Sequence, residues 1–451
     1  MTFVHRSVVL ALVVAGCSPA DKPQAPTAPA VAMSPVTVES KATSNGATPM
    51  FLMTPGGAKV LSWVAAPDSG SEGVLFVRVE APDGKVTTSG IHDPLGAVEP
   101  HGEAPPQLAA GADGSLYALY TVGRDTGGRF AKSALRFSRS TDGGATWSAP
   151  QSLNEGEEFG SNNFHSLLAG NDGTVYAAWL SSVDQKSGVW LRVSSDGGKS
   201  WNKSKAIHPD PTCPCCRTGL ALAPDGTLYS SYRKIFPGDV RDMVVMASHD
   251  KGATWSAPVR PRADEWVFPG CPHAGASLKV DATGAVHIAW WTGKAGAAGV
   301  WYGVSKDGGA TWTATPIDTG ATSAPAHVQL ALTGATGVVV AWDDGKSKLP
   351  RILLRASADG GTTFGKALEM SDARSGAATF PVLAVDRDSL TVAWSQKPDS
   401  SYRAELAMRE AMKHDKSVKM GMPRVGQQEV LARRIALSAL PVAPVSVTQR
   451  P

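Results

Sequence analysis

Four cysteines are concentrated in two short segments of the chain. The first segment contains Cys213, Cys215 and Cys216, and the second contains Cys271 and His273. Thiolate and imidazole groups are ligands that Cu(I) and Zn(II) accept in proteins. A proline follows Cys213 and another follows Cys271, and each restricts the backbone next to a sulfur. The spacing therefore suits a preorganised metal site or a fixed disulfide.

Three uses of these cysteines remain open at the level of sequence. In an oxidising compartment, four cysteines can form two disulfides that pin long loops, with a bridge from segment 213–216 to Cys271 favoured. Reduced thiolates would instead hold copper or zinc, with His165 and His273 as nearby imidazoles. Reactive thiols with a redox role are the third use. We expect at least one disulfide and treat metal binding as the hypothesis to test.

A repeated turn motif organises the rest of the chain. It has the form Ser-x-Asp, three residues that include glycine, and then a hydroxyl residue before Trp or Phe. The aspartate can accept N–H groups of its own turn, and glycine permits a positive φ. The five aspartates are Asp142, Asp196, Asp250, Asp307 and Asp359. Their nearly constant spacing is typical of a solenoid or a propeller.

This motif resembles the Asp-box (BNR) repeat of sialidase-like β-propellers. The resemblance covers most of the chain and implies an all-β propeller with Asp-box turns. For activity it implies a sialidase-like glycoside hydrolase, an exo-alpha-sialidase, in which arginines grip a substrate carboxylate. Arg217, Arg233 and Arg241 precede an Asp box as in that family, and Tyr402 is a further catalytic candidate. The amino-terminal Phe/Tyr-Arg-Ile-Pro motif of sialidases is missing, so the enzyme assignment stays open.

A second period predicts the blades of this propeller. Each unit has an apolar strand, a turn with glycine, and a second apolar strand that ends in an aromatic residue. The seven aromatic residues are Trp63, Tyr120, Trp179, Tyr232, Trp290, Trp342 and Trp394. They predict seven four-stranded blades, with six possible if a terminal unit is incomplete.

Strand direction assigns the candidate residues to one end of the propeller. Because strands in a blade alternate in direction, the Asp boxes share one end. The stretch that leads into each innermost strand, here the lead-in segment, lies at the opposite end, the mouth. Cys213, Cys271 and His165 fall on lead-in segments, as do His101 and His327. We therefore expect these groups to converge near the propeller axis.

The amino terminus resembles the signal of a bacterial lipoprotein. Arg6 precedes a short apolar run that ends in a lipobox-like sequence at Cys17, which such signals lipidate. Ser18 after the cysteine matches the outer-membrane sorting pattern. We expect a short closing strand near residues 36–38. The predicted organisation is a signal peptide at 1–17, a flexible Pro/Ala-rich linker at 18–46, the propeller at 47–440 and a tail or closing strand at 441–451.

Composition sets the remaining limits. The 451 residues are 42% hydrophobic, enough for a large core, and a net charge of +3 gives no case for nucleic acid. We predict a lipid-anchored protein of the cell envelope, on the periplasmic side of the outer membrane. It would bind a soft metal ion or another ligand through a Cys/His/Arg cluster at its mouth. Its partners would be membrane lipid at Cys17 and a small anionic ligand, a glycan or an envelope protein. A sialidase-like exo-glycosidase and an envelope interaction scaffold are the alternatives.

Overall fold

The computed structural model describes residues 34–37, 46–66, 73–127, 131–183, 186–208, 211–320, 326–372, 376–415, 417–418 and 425–444. Within these ranges the chain forms strands β1 to β27 and one α-helix, α1. The predicted signal peptide, including Cys17, and most of the predicted linker lie outside the described residues.

The strands form seven antiparallel sheets, which are the blades. Blade 1 contains β2 (Gly46–Met53), β3 (Lys59–Ala65), β4 (Val74–Glu80) and β5 (Val86–Ile91). Blade 2 contains β6 (Gln107–Ala110), β7 (Leu116–Arg124), β8 (Lys132–Ser140) and β9 (Gln151–Ser152). Blade 3 contains β10 (Asn163–Ala169), β11 (Val175–Val183), β12 (Lys186–Ser194) and β13 (Lys205–His208). Blade 4 contains β14 (Gly219–Leu222), β15 (Leu228–Phe236) and β16 (Val240–Ser248).

The remaining three blades complete the ring. Blade 5 contains β17 (Ser277–Val280), β18 (Val286–Thr292), β19 (Gly299–Ser305) and β20 (Thr313–Thr319). Blade 6 contains β21 (Val328–Thr333), β22 (Gly337–Asp344), β23 (Arg351–Ser357) and β24 (Leu368–Glu369). Blade 7 contains β25 (Ala377–Asp386), β26 (Ser389–Lys397), β27 (Glu429–Ala436) and the amino-terminal β1 (Ser34–Thr37).

Ring closure confirms the prediction of a seven-bladed propeller. The innermost strand of each blade contacts that of the next, and β25 of blade 7 contacts β2 of blade 1. Strand β1 pairs with β27 on the outer edge of blade 7. The closing strand expected at residues 36–38 is therefore found at Ser34–Thr37, within the stretch predicted as a linker.

The outer edge of blade 4 is irregular. In place of a fourth strand, it has isolated bridges that join Val245 to Val259 and Val240 to Val267. Pro258 and Pro261 lie in this stretch, and proline cannot donate to a strand ladder. The other six blades have four strands each.

The blade core consists of the aromatic residues that define the period. All seven lie on the second strand of a blade and are at most 2% exposed. Each faces apolar side chains of a neighbouring sheet; Trp63, for example, packs with Val430 and Phe51 in one cluster. Burial of such large apolar surfaces between blades is the main favourable term for this fold.

Helix α1 (Asp399–His414) lies in the connection between β26 and β27. Its sequence is largely polar and charged. Among the described residues, no helix has both the length and the apolar character needed to span a bilayer.

The aspartate of each Asp box accepts hydrogen bonds from residues of its own turn. In the box of blade 4, Asp250 accepts hydrogen bonds from Ser248 Oγ at 2.8 Å, Thr254 N at 2.8 Å and Thr254 Oγ1 at 2.6 Å. The other four boxes repeat these contacts. At Gly252, φ is +88°, and a Cβ atom would lie 2.4 Å from Leu191 of blade 3. The box therefore also packs against the preceding blade.

These bonds predict a pH-dependent contribution to stability. Hydrogen bonds from Thr254 and Ser248 lower the pKa of Asp250 to about 2. A depressed folded-state pKa stabilises the protein above the unfolded value of about 3.9, and this stabilisation is lost as the pH falls through about 2. Asp250→Ala should therefore lower the melting temperature at pH 7. The gap to the wild type should shrink between about pH 4 and pH 2.

Thermal unfolding across this pH range checks the prediction. Glu158→Ala, at an exposed loop position, is the matched control and should leave the melting temperature unchanged. An Asp250→Ala gap that is independent of pH would contradict a role for the ionised carboxylate.

Candidate metal site at the propeller mouth

The two ends of the propeller differ as strand direction predicts. A surface hollow at one end is lined by the first turn of blade 2, including Asp113, and by the box of blade 3, including Asp196. The lead-in segments that carry the cysteines precede β14 and β17 at the other end. The Asp boxes are thus structural, and the candidate site lies away from them.

Three cysteine sulfurs form a compact cluster, the cysteine triad. Cys213, Cys215 and Cys216 are 0, 4 and 1% exposed. The sulfur of Cys213 lies 3.6 Å from that of Cys215 and 3.8 Å from that of Cys216. All three lie within 4.8 Å of one another, which suits coordination of a single ion.

The disulfide expected from the sequence is not present in the structure. A disulfide bond requires a sulfur–sulfur distance of about 2.05 Å, and the triad distances are far longer. The four described cysteines are free thiols. The favoured bridge from segment 213–216 to Cys271 is therefore replaced by contacts between thiols.

Cys271 differs from the triad in its exposure. It is exposed, whereas the triad is buried. Its thiol lies close enough to that of Cys215 for each to shift the pKa of the other, but it lies outside the group of sulfurs within 4.8 Å of one another. Cys271 thus lies between the triad and the protein surface.

Pairing with blade 4 holds the triad segment in place. The N–H of Cys213 donates to the carbonyl of Arg233 at 2.9 Å, and the N–H of Ile235 donates to the carbonyl of Pro211 at 2.9 Å. Segment 211–213 therefore runs along β15 before the chain turns into β14. This pairing places the first cysteine of the triad beside the arginines of blade 4.

Two arginine side chains surround the triad with positive charge. Arg241 Nη1 lies 3.2 Å from the sulfur of Cys213. Arg233 is 0% exposed and donates to the carbonyls of Arg241, Ala274 and Trp291 at 2.8–2.9 Å. Its guanidinium also lies 5.3 Å from the ring centroid of Trp266. Both charges are thus held inside the protein, next to the sulfurs.

This environment favours a thiolate at Cys213. Hydrogen bonds with the Cys215 and Cys216 thiols, together with the charges of Arg233 and Arg241, hold the pKa of Cys213 well below its usual range. The same hydrogen bond to Cys213 raises the pKa of Cys215, and burial raises that of Cys216. These contacts therefore favour ionisation of Cys213 over that of its two neighbours.

Glu103 joins the two cysteine-bearing segments. It is 3% exposed, and one carboxylate oxygen, Oε1, accepts the N–H groups of both Arg217, at 3.2 Å, and Gly275. A Cβ atom at position 275 would lie 2.8 Å from the backbone of Arg217, so the two segments are in close contact. Glu103 therefore fixes the position of Cys216 relative to His273.

The sequence did not indicate this role of Glu103. Glu103 is an acidic residue in a loop, yet the structure buries it, and this burial raises its pKa. The signal that could have indicated its burial was its position just before the innermost strand β6, where the lead-in segments of the blades converge. The Arg217 charge lies near this carboxylate.

The predicted histidines do not join the triad. His165 is 0% exposed beneath the mouth, and burial lowers its pKa to about 3. The rings of His101 and His273 lie 6.2 Å apart at the mouth, and burial lowers their pKa values to about 3 and about 4. These imidazoles are therefore neutral near pH 7, and they form a second group next to the cysteines.

A fourth histidine is fixed by two carboxylates. His327 Nδ1 lies 2.6 Å from Asp343 Oδ2, and its Nε2 lies 3.8 Å from Glu103 Oε2. Burial opposes the imidazolium form, but these carboxylates outweigh it, and the pKa of His327 is raised. Asp343 directly follows the blade aromatic Trp342 on β22, so strand alternation directs it to the opposite face of blade 6, where the N–H of Phe380 in blade 7 donates to it at 3.1 Å.

The backbone is strained around this group. Positive φ values occur at Thr48, Phe164, His273 and Phe380, which are not glycines. Three of these residues coincide with bulges in β2, β10 and β25. Such strain is typical of functional sites and persists only where surrounding contacts enforce it.

The arginines and the tyrosine suggested by the sialidase resemblance are not gathered around one open pocket. Arg233 and Arg241 are buried in blade 4, where they contact carbonyls and a sulfur. Arg217 lines a narrow axial cavity together with His327. Tyr402 lies on α1, near Asp343, and burial raises its pKa.

Comparison with known proteins agrees with the fold. Residues 98–263 match the model of the BNR repeat-like domain. The match covers about a third of the chain and agrees with the Asp-box repeats that the sequence predicts within this seven-bladed propeller. No curated protein matches the chain in sequence.

Several solved structures are similar to this chain, two of them with TM-scores above 0.5. A protein of unknown function from Dyadobacter fermentans DSM 18053 has a TM-score of 0.51 and 15% identity, over 91% of this chain and 100% of its own. A PL25 ulvan lyase has a TM-score of 0.51 and 13% identity, over 77% and 91% of the two chains. The microbial sialidase Hz136 has a TM-score of 0.46 and 19% identity, over 85% and 78%. At these identities the likeness concerns the fold alone.

The contacts of Glu103 predict the effect of its removal. Glu103→Ala would leave the buried N–H groups of Arg217 and Gly275 without their acceptor, at a cost of about 1–3 kcal/mol in unfolding free energy. Glu103→Gln keeps a carbonyl oxygen and should cost less. Urea denaturation of the three proteins measures the difference. Equal stability of the alanine variant and the wild type would show that this carboxylate does not hold the segments together.

Proposed function

We propose that the protein is an exported, lipid-anchored propeller that binds Cu(I) through Cys213, Cys215 and Cys216. The observation that carries this proposal is the cluster of three buried sulfurs within 4.8 Å of one another. Soft thiolate ligands select Cu(I) over the harder divalent ions. Cluster geometry and charge both support a bound metal ion.

The buried arginines supply the charge that such a site needs. Three thiolates and one Cu(I) ion carry a net charge of minus two, which the guanidinium groups of Arg233 and Arg241 would balance. Buried charges are costly unless they are paired. Arg233 has only neutral carbonyl oxygens as its hydrogen-bond acceptors at 2.8–2.9 Å, so an anionic copper–thiolate centre would complete its surroundings.

The number of nearby sulfurs favours Cu(I) over zinc. A structural zinc site takes four ligands in a tetrahedron, whereas Cu(I) is stable with three thiolates. The fourth thiol, Cys271, lies outside the triad group. Zinc would therefore require a movement of Cys271 that copper does not.

The glycosidase alternative has less support from the side chains. The carbohydrate-active relatives share the fold, and fold alone does not define an activity. Arg233 and Arg241 are engaged inside blade 4. The mouth therefore offers sulfur and imidazole ligands in place of the arginine cluster that sialidase chemistry uses.

The metal proposal predicts one Cu(I) ion per chain. Anaerobic titration of the reduced protein against a chromophoric Cu(I) chelator measures stoichiometry and affinity. Substitution of any triad cysteine by serine removes a ligand and should weaken binding by about 100-fold or more. Met246→Leu, a volume-conserving change in the same core cluster, is the control and should bind as the wild type does.

Two results would contradict this proposal. The first is failure of the fully reduced wild-type protein to bind Cu(I). The second is unchanged affinity in all three serine variants. Thiol titration of the unreduced, denatured protein tests the disulfide alternative. A protein whose four cysteines form disulfides would show no free thiols, and its melting temperature would fall strongly after reduction.

The membrane anchor is a proposal that rests on residues 13–17. Cys17→Ser removes the site of lipid attachment and should move the protein from the membrane fraction to the soluble fraction. Cell fractionation at low and high salt measures this change. A variant that still sediments with membranes under both conditions would rule out this anchor.

A further inference from the structure

We infer that Cys271 is the residue through which Cu(I) enters and leaves the cysteine triad. Its partner would be a thiolate-bearing Cu(I) donor or acceptor, either a small thiol or a cysteine of another protein. This inference rests on the proposed Cu(I) site, and it assigns Cys271 a role in transfer that differs from that of the triad.

The first observation is the gradient of exposure along the sulfurs. Cys213, Cys215 and Cys216 are at most 4% exposed, so a donor thiolate cannot reach them directly. Cys271 is exposed. Its thiol lies near enough to that of Cys215 for each to shift the pKa of the other, and the sulfur of Cys215 lies 3.6 Å from that of Cys213. The four sulfurs are thus neighbours in a row that leads from the surface to the triad.

The second observation is that the two ends of this path are held together. Arg241 donates to the sulfur of Cys213 and, through Nε, to the carbonyl of Phe268, three residues before Cys271. Glu103 accepts from Gly275, beyond Cys271, and from Arg217, beyond the triad. The exposed thiol is therefore kept next to the triad from both sides of its segment.

Transfer along this path is a ligand exchange without a change of oxidation state. The Cys271 sulfur forms a bond to Cu(I) as the bond to the donor sulfur breaks, and the thiol proton of Cys271 passes to the released donor thiolate. Bonds from Cys215, Cys213 and Cys216 to copper then replace the bond from Cys271. Cys215 and Cys216 each lose a proton, one of which returns to Cys271 and the other of which passes to water. The metal stays Cu(I) throughout.

A transfer residue changes rates without changing the equilibrium. Cys271 is absent from the final three-sulfur set, so its loss should slow binding and release by the same factor. A fourth equilibrium ligand would behave differently, because its loss would weaken affinity. Comparison of rates and affinity therefore distinguishes the two roles.

The experiment uses stopped-flow transfer of Cu(I) between the protein and glutathione, in both directions and without oxygen. For Cys271→Ser we expect both rates to fall by about tenfold or more, with little change in affinity. Wild-type rates should rise with glutathione concentration, as expected for attack by an incoming thiolate. Val267→Ser, at a 61% exposed position in the same stretch, is the matched control and should keep wild-type rates.

The possible outcomes separate the two proposals. Absence of Cu(I) binding by the wild type would overturn the metal function itself. Wild-type transfer rates in Cys271→Ser, with Cu(I) still bound, would overturn only the role of Cys271. A large loss of affinity in this variant would also overturn that role, because it would identify Cys271 as a permanent fourth ligand.

Discussion

The packing of β25 against β2 closes the ring, and the geometry of the mouth depends on this closure. Strand β1 completes blade 7 at its outer edge, while the seven innermost strands surround one axis. Their lead-in segments then have to converge at one end. Residues far apart in sequence, such as Glu103 and Gly275, come into hydrogen-bonding contact for this reason. The cysteine triad is a consequence of closure as well as of local sequence.

Buried positive charge is the second feature that shapes the site. Arg233 and Arg241 lie on adjacent strands of one blade, and their guanidinium groups are enclosed by carbonyls, an indole ring and a sulfur. Desolvation of a guanidinium is expensive, so the fold gains from any negative charge placed nearby. The thiolate of Cys213 meets this need in part, and a copper–thiolate centre would meet it more fully. The buried positive charge and the arrangement of the sulfurs therefore both favour a bound Cu(I) ion.

Much of this fold could be predicted from the sequence because its signals are local. The repeats of the blade aromatics and of the Asp boxes indicate hairpins and buried strands. The alternating direction of the strands then assigned the cysteines to the mouth. The burial of Glu103 could not be predicted, because its partners are N–H groups of distant segments. The free thiols were missed for a related reason. Cysteine spacing shows that sulfurs can meet, whereas only the backbone path shows that Cys271 remains exposed and outside the group of three sulfurs within 4.8 Å of one another.

The position of β1 has a mechanical consequence. This strand begins at Ser34, a short stretch of chain after the proposed lipid anchor at Cys17. Tension between the membrane and the protein would therefore act first on the four residue pairs that join β1 to β27. The strand that bears this load is also the one that completes blade 7. The strand nearest the attachment point is thus the outermost strand of blade 7, so a strong pull on the tether would separate β1 from β27 before it loaded any other blade.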